Sequence, residues 1–486
     1  MFDAYVTFQA RLRPTAFALI TPERWATYAE LDADTDRFAA GLRALGVGPE
    51  RGVVSIRVAN DYLTHVLLLA LARLGVVSSP FDDPAPDLQL VARPAAEAPG
   101  QLALTPDWLA ATFRAEPRPV APVRRGLDDL ARVMLSSGTT RTARRVPRSW
   151  RMLEGNTRTA ALTYLAGKPG RWVCLTGMDT GLGQAMTLAA WSQGATLIAD
   201  YTAEQLAESL EALRPSIVGL TPVFLRRLLA ALPQGLGVQP GLRVVSTGGV
   251  LPPDVARDAR LRLSSEILIS YGAAETGSAA MADGAWLDEH RGAAGYAVPG
   301  VRVEVVGGDG APVAPGETGE VRIFSDRVSD GYLGDPEATA QAFRDGAFYP
   351  GDVGRLLADG LLMVDGRVDD RMDLGGMKFL PDPLEDLVMA LPGVIDAAAY
   401  AVPDAQGING CWVAVAAVDG FDRQGLADHI ARHGQDLPPV RFAWIDAIPR
   451  NAMGKVERRR LREETIAALG IAEGARAPDG AAGHNG

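Results

Sequence analysis

The feature that most constrains this chain is a repeating alternation of strand-like and helix-like segments running from Thr27 to Ser270. Between Thr27 and Gly46 the apolar positions Tyr28, Leu31, Phe38, Leu42 and Leu45 recur at near-helical spacing, and Gly46 and Gly48 end the pattern. Residues 53–58 then read as a strand, 62–74 as a strongly apolar helix and 75–79 as another extended run. The same rhythm returns at 172–175, 182–192, 196–199, 203–213, 217–220, 222–232, 242–246, 253–263 and 266–270. Strands separated by helices pair in parallel and are covered by those helices, so the expected class is α/β.

Past Ala293 the texture changes to short β-rich pieces at 301–306, 320–324 and 361–364, punctuated by Gly and Pro, which predicts a small β subdomain. After Asp370 comes a mixed segment, with helices at 383–391 and 423–434 and strands at 397–402 and 412–418. The expectation is a large N-terminal domain, residues 1–368, of parallel-rich sheets with that β subdomain, followed by a small mobile α+β domain at 369–472. Residues 473–486 are rich in Ala and Gly with almost no bulky apolar side chain and are expected to be disordered. The length of 486 residues suits this division.

Lys and Arg number 48 against 59 Asp and Glu, a net charge of −11, so the surface as a whole does not attract a polyanion and nucleic acid is not expected as a partner. Cys174 and Cys411 each lie in an apolar run and read as buried thiols, not as a disulfide framework or a zinc site. No leader-like start and no apolar run of about 18 residues is seen, so a cytoplasmic protein without a membrane span is expected. His65, His290, His429, His433 and His484 adjoin no GxSxG elbow, which disfavours a hydrolase.

Five segments carry chemistry. Leu135 is followed by Ser136, Ser137, Gly138, Thr139 and Thr140, then by Arg141, Arg144, Arg145 and Arg148. Hydroxyls and a glycine in a turn present several donors to one anion, which suits a polyphosphate; a polar surface loop fits the composition too. It is not a GxxxxGK[ST] loop. Tyr271, Gly272 and Glu275 follow the strand at 267–269, where a parallel sheet opens its ligand crevice, and an aromatic face with a carboxylate can hold a base and a metal-bound phosphate; a Tyr-Gly turn with a surface Glu is the plain alternative. Asp352, in Tyr349-Pro350-Gly351-Asp352, can accept from ribose hydroxyls or simply occupy a turn. Charges and glycines from Gly366 through Arg367, Asp369 and Arg371 to Lys378 read as a hinge or a linker. Lys455 stands on a glycine turn before a basic helix beginning at Glu457.

In this order and spacing the segments resemble the adenylate-forming superfamily of acyl-CoA synthetases, peptide-synthetase adenylation domains and luciferases, over about residues 20–465. Supporting stretches are 27–31, Thr247-Gly248-Gly249 and 315–320. The resemblance implies a two-step ligase that uses ATP and Mg²⁺ to form an acyl-adenylate from a small carboxylic acid and then passes the acyl group to a thiol. CoA is the expected acceptor; a carrier-protein phosphopantetheine is the alternative, and a nucleotide-binding protein without turnover is a third reading. By that analogy Ser136, Ser137, Gly138, Thr139, Thr140 and Arg144 form the phosphate loop, Tyr271 and Gly272 meet adenine, and Glu275 binds Mg²⁺. Asp352 takes the ribose hydroxyls, Arg367 contacts the nucleotide, Asp369 is the hinge and Lys455 is the catalytic cation.

The chain departs from that pattern in four places. Arg141, Ala143 and Arg144 stand where the family usually has Gly, Pro and Lys, and Ala274 replaces a Thr or Ser, removing one phosphate-facing hydroxyl. For the acid, Asp179, Gln184, Thr247, Gly248 and Gly249 are expected to line one pocket. Asp179 pairs a substrate ammonium there or caps the helix that follows it.

Overall fold

The computed structural model describes residues 2–58, 61–92, 100–136, 143–368, 372–374, 377–404, 408–433, 439–450 and 456–469. The alternation builds two sheets. In the first, Phe17–Ile20, Thr196–Ile198, Arg171–Cys174, Ile217–Leu220, Arg243–Thr247 and Glu266–Ala273 lie side by side in parallel. Helices Gly181–Gln193, Ala203–Leu213, Pro222–Ala231 and Pro253–Arg262 make the crossovers that parallel pairing demands. Ile217–Leu220 is buried at all four positions, as a strand covered on both faces must be.

In the second sheet Gln101–Ala103, Leu88–Val91, Val53–Arg57, Val77–Ser79 and Leu130–Leu135 are parallel. Arg145–Ser149 closes its edge antiparallel to Leu130–Leu135. Helix Tyr28–Ala44 begins on a capping box in which Thr27 and Glu30 satisfy each other's backbone N–H groups, within a stretch already marked in the sequence.

The β-rich region is not a separate layer. Gly277–Asp283 folds back on Glu266–Ala273 as a hairpin, and Ala293–Ala297, Leu362–Arg367, Asp352–Leu356 and Gly319–Ser325 continue from it antiparallel. The parallel sheet and this extension share one run of hydrogen bonds, 15 strands in all.

Beyond it, Val394–Pro403, Asn409–Ala417 and Val440–Trp444 form a three-stranded sheet with its own cores. Leu384, Cys411, Val413 and Leu426 pack on one side of it and Tyr400, Ile448 and Leu461 on the other. This lobe touches the larger one through Arg291 and Asp386, 3.6 Å apart. Both cysteines are buried and free. Among the described residues no helix is long and apolar enough to cross a membrane.

Helices Asp3–Leu12, Pro106–Arg114 and Trp150–Leu162 go beyond the sequence reading. In Trp150–Leu162 the buried face includes Asn156 and Thr157 beside Met152 and Leu153, so its apolar period is broken by polar side chains.

Candidate active site

Tyr271 lies near the end of a parallel strand, at the point where the sheet turns antiparallel. Its hydroxyl donates to Asp352 Oδ2 at 2.5 Å, while Arg367 Nη1 donates to Asp352 Oδ1 at 3.0 Å and Arg367 Nη2 to the Pro350 carbonyl at 2.9 Å. Burial, then the Asp352 charge, push the Tyr271 phenol well above its ordinary range. Three residues marked in separate segments are thus one hydrogen-bonded cluster. Gly272 must lack a side chain, because a Cβ there would sit 2.0 Å from the Gly277 carbonyl across the hairpin.

Glu275 occupies the hairpin's turn and is buried. Tyr332 donates to its Oε1 at 2.8 Å, and its own carbonyl accepts from the Ser329 N–H at 2.8 Å. Burial raises the Glu275 carboxyl above its usual range; the Tyr332 hydrogen bond, a backbone hydrogen bond and the charges of Arg148 and Arg144 pull the other way. Arg144 lies over the Tyr332 ring, 5.2 Å from its centroid. Ser136 and Arg144 brace the two ends of the hydroxyl-rich loop, with the Ser136 N–H on the Arg144 carbonyl at 2.9 Å and the Arg144 N–H on Ser136 Oγ at 3.1 Å. Ser137, Gly138, Thr139, Thr140, Asp369, Lys455 and the C-terminal residues 473–486 lie outside the described residues.

Glu275 is one buried carboxylate, and among the described residues no three His, Cys, Asp or Glu side chains cluster as metal ligands. Such a donor set fits a Mg²⁺ that takes most of its ligands from phosphate oxygens and water.

Thr247 ends the strand Arg243–Thr247, with Gly248 and Gly249 directly after it. Gly248, with φ of +82°, turns the chain after Arg243–Thr247, and the Thr247 hydroxyl is spent on the Ser270 carbonyl at 2.7 Å. Gln184 is buried on helix Gly181–Gln193 with its Nε2 unpartnered among the described residues. Asp179 calls for a correction. The helix is capped by Thr180, whose hydroxyl accepts from the Gly183 N–H at 3.0 Å, so Asp179 is not the cap. Its carboxylate is paired with Arg132, a partner the sequence did not announce.

Arg132, Arg148, Asn156, Arg327 and Tyr332 were not singled out as site residues by the sequence reading. A signal existed for the first two: an arginine inside an apolar strand such as Leu130–Leu135 contradicts its surroundings, and charges are rarely buried without a purpose.

The profile of the AMP-binding enzyme family matches residues 6–93 and 85–333, together more than half of the chain. An indoleacetate–CoA ligase of Aromatoleum aromaticum is 26% identical over 94% of this chain and 97% of its own length. A fatty acid–[acyl-carrier-protein] ligase, ScoC of Streptomyces coeruleorubidus, is 26% identical over 94% of this chain and 95% of its own. The o-succinylbenzoate CoA synthetase MenE of Bacillus subtilis, solved with the acyl-adenylate intermediate OSB-AMP, superposes with a TM-score of 0.82 at 20% identity, covering 94% of this chain and 97% of its own.

Proposed function

Because the chain belongs to the AMP-binding enzyme family, we propose that it is an ATP-dependent acid–thiol ligase that works through an acyl-adenylate. The observation that carries this reading is the convergence of Tyr271, Asp352 and Arg367 into one cluster, with Glu275 at the turn of the hairpin that bears Tyr271.

In the first step a carboxylate oxygen of the acid attacks the α-phosphorus of ATP. The new O–P bond forms as the bond to the bridging oxygen breaks, and pyrophosphate leaves. Negative charge builds on the phosphoryl oxygens, so the protein's work is to place cations and donors in advance. Tyr271 offers its ring to adenine and Asp352 accepts from the ribose hydroxyls. Arg367 donates to that carboxylate and aims it. Ser136 and Arg144 fix the ends of the loop whose Ser137, Gly138, Thr139 and Thr140 donate to the phosphates. Glu275 would hold Mg²⁺, which would supply charge neutralisation there, and Lys455 approaches the α-phosphate as a point charge. In the second step a thiol sulfur attacks the acyl carbonyl, the bond to AMP breaks, and the thiol proton passes to solvent. Residues 369–472 form the lobe that carries Lys455, with Asp369 as its hinge, and the lobe rotates between the two steps.

CoA is the proposed acceptor, in keeping with the indoleacetate–CoA ligase. The carrier-protein alternative is favoured by the likeness to the fatty acid–[acyl-carrier-protein] ligase. Acid-dependent exchange of labelled pyrophosphate into ATP tests the first step, and mass spectrometry after adding CoA or a phosphopantetheinylated carrier protein tests the second. Measurable ATP binding with no exchange for any acid would instead favour a nucleotide-binding protein without turnover, for which Ala274 and Arg144 are the relevant departures.

A further inference from the structure

Two arginines lie fully buried and directly opposite each other on neighbouring strands. Arg132 on Leu130–Leu135 is the register partner of Arg148 on Arg145–Ser149, with exposures of 0% and 2%. Register partners of an antiparallel pair project to the same face, and like charges placed that way repel. Burial without a partner makes the conflict worse. Arg132 is answered: Asp179 holds its Nη2, and its Nη1 donates to Ser78 Oγ at 3.0 Å. Arg148 is not answered in that way. Its Nε and Nη1 have no hydrogen-bond partner among the described residues. It feels Glu275 as an opposite charge and Arg327 as a like one, and burial lowers its pKa to about 10. Arg132 thus has Asp179 and Arg327 has the opposite charge of Asp326, while no ion pair among the described residues joins Arg148 to Glu275.

Arg148 opens on a cavity between helices Trp150–Leu162 and Gly181–Gln193. Asn156 and Gln184, exposed by only 8% and 3%, line it as well. Asn156 Nδ2 and Gln184 Nε2 are also unpartnered among the described residues. Asn156 Oδ1 is set against Gly277, whose Cβ, if present, would lie 2.2 Å away. Three side chains that line one small space of about 10 Å³, room for one oxygen, thus each carry an unpartnered N–H donor. A water would accept from two of these donors but would bring no charge to set against that of Arg148.

We propose that this cavity is the far end of the acid site and receives an oxygen of a second carboxylate, so that the preferred substrate is a dicarboxylic acid. The proposal rests on the ligase reading above and adds the substrate class to it. Arg148 supplies the charge, and Asn156 and Gln184 supply direction. Arg132, neutralised by Asp179, is the wall behind them.

The test compares malonate, succinate, glutarate and isophthalate with propionate, butyrate, valerate and benzoate, in pyrophosphate exchange and in thermal unfolding of the whole chain. The wild type is expected to favour the best diacid over its partner by roughly 30-fold in kcat/KM, and to be stabilised by that diacid but not by equal chloride or phosphate. In Arg148→Met the preference should fall to about 3-fold or less while monoacid exchange persists, and Arg148→Lys should restore part of it. Monoacid turnover with no diacid preference in the wild type would sink the proposal and leave the ligase intact. Equal loss for both acid classes in Arg148→Met would assign Arg148 to the support of Glu275 instead. Stabilisation by chloride or phosphate matching that by the diacid would make the site one for free anions and overturn the substrate claim. Diacid stabilisation of the wild type alone, without exchange, would uphold the cavity and end the ligase reading. If Arg148→Met does not fold, the wild-type comparison decides.

Discussion

Tyr271 donates its hydroxyl to Asp352 at 2.5 Å, although 81 positions separate the two in sequence. The contact ties the last parallel strand to the antiparallel extension, and Arg367 completes it from the next strand over. Asp352 therefore has a fixed orientation before any ribose arrives.

Asp352→Ala should raise the KM for ATP by roughly 10- to 100-fold, the value of a hydrogen bond to a charged group. Tyr271→Phe keeps the ring and leaves Arg367 holding the carboxylate, so its effect should stay within about 5-fold. Exchange kinetics at varied ATP check the ordering, and equal effects would place the hydroxyl, not the carboxylate, at the ribose.

Lys455→Ala is expected to slow adenylation by about 100-fold or more, near 2.7 kcal/mol of transition-state stabilisation, while thioester formation from supplied acyl-adenylate persists. Asp369→Pro should do the reverse by restricting the backbone at the hinge. Single-turnover measurement of each half-reaction decides; a matching loss in both would remove the division of labour between the steps.

The pH dependence of Mg-ATP binding follows from Glu275. Its folded pKa is raised by burial, so the nucleotide-free protein holds the proton at pH values where an exposed glutamate has lost it. A metal ligand must be deprotonated. Affinity should therefore fall as pH drops through that raised value, approaching tenfold per unit below it, and Glu275→Gln should be weak and flat across the range. Calorimetric titration with Mg-ATP from pH 5 to 8 reads this, and a wild-type profile as flat as the variant's would contradict the assignment.

Asp179→Ala should destabilise the fold by about 3 kcal/mol or more, since it strips a buried guanidinium of its counterion. Adding Arg132→Met should recover most of that loss, because the pair is then replaced by apolar groups. Urea unfolding of both single variants and the double variant measures the coupling. An Asp179→Ala protein of unchanged stability that loses only amino-acid substrates would return Asp179 to the role expected from sequence.

Much of this arrangement was legible because local patterns agreed with the fold. The apolar period of Tyr28, Leu31, Phe38 and Leu42 gave helix Tyr28–Ala44, and the strand-helix rhythm gave the parallel sheet. The glycine, aromatic and carboxylate signals at Tyr271, Glu275 and Asp352 marked residues that the fold brings into one region, because their types suit few other tasks in that order. What sequence did not yield was partnership. Nothing near Asp179 announces Arg132, which lies 47 positions earlier on another sheet. Arg148 looked like one more charge in a basic loop, because its burial depends on helices Trp150–Leu162 and Gly181–Gln193, and the first of these was itself hidden by Asn156 and Thr157.

The antiparallel continuation of the parallel sheet has a consequence for how such a chain can change. The groups assigned to the nucleotide are divided between the hairpin with the strands beyond it and the loop that Ser136 and Arg144 brace, while those assigned to the acid ride on strand ends and on two neighbouring helices. Helix Trp150–Leu162 sets Asn156 against Gly277 of the hairpin that bears Glu275, so a change in the helix pair is passed on to that turn, and the two halves of the cleft are mechanically joined.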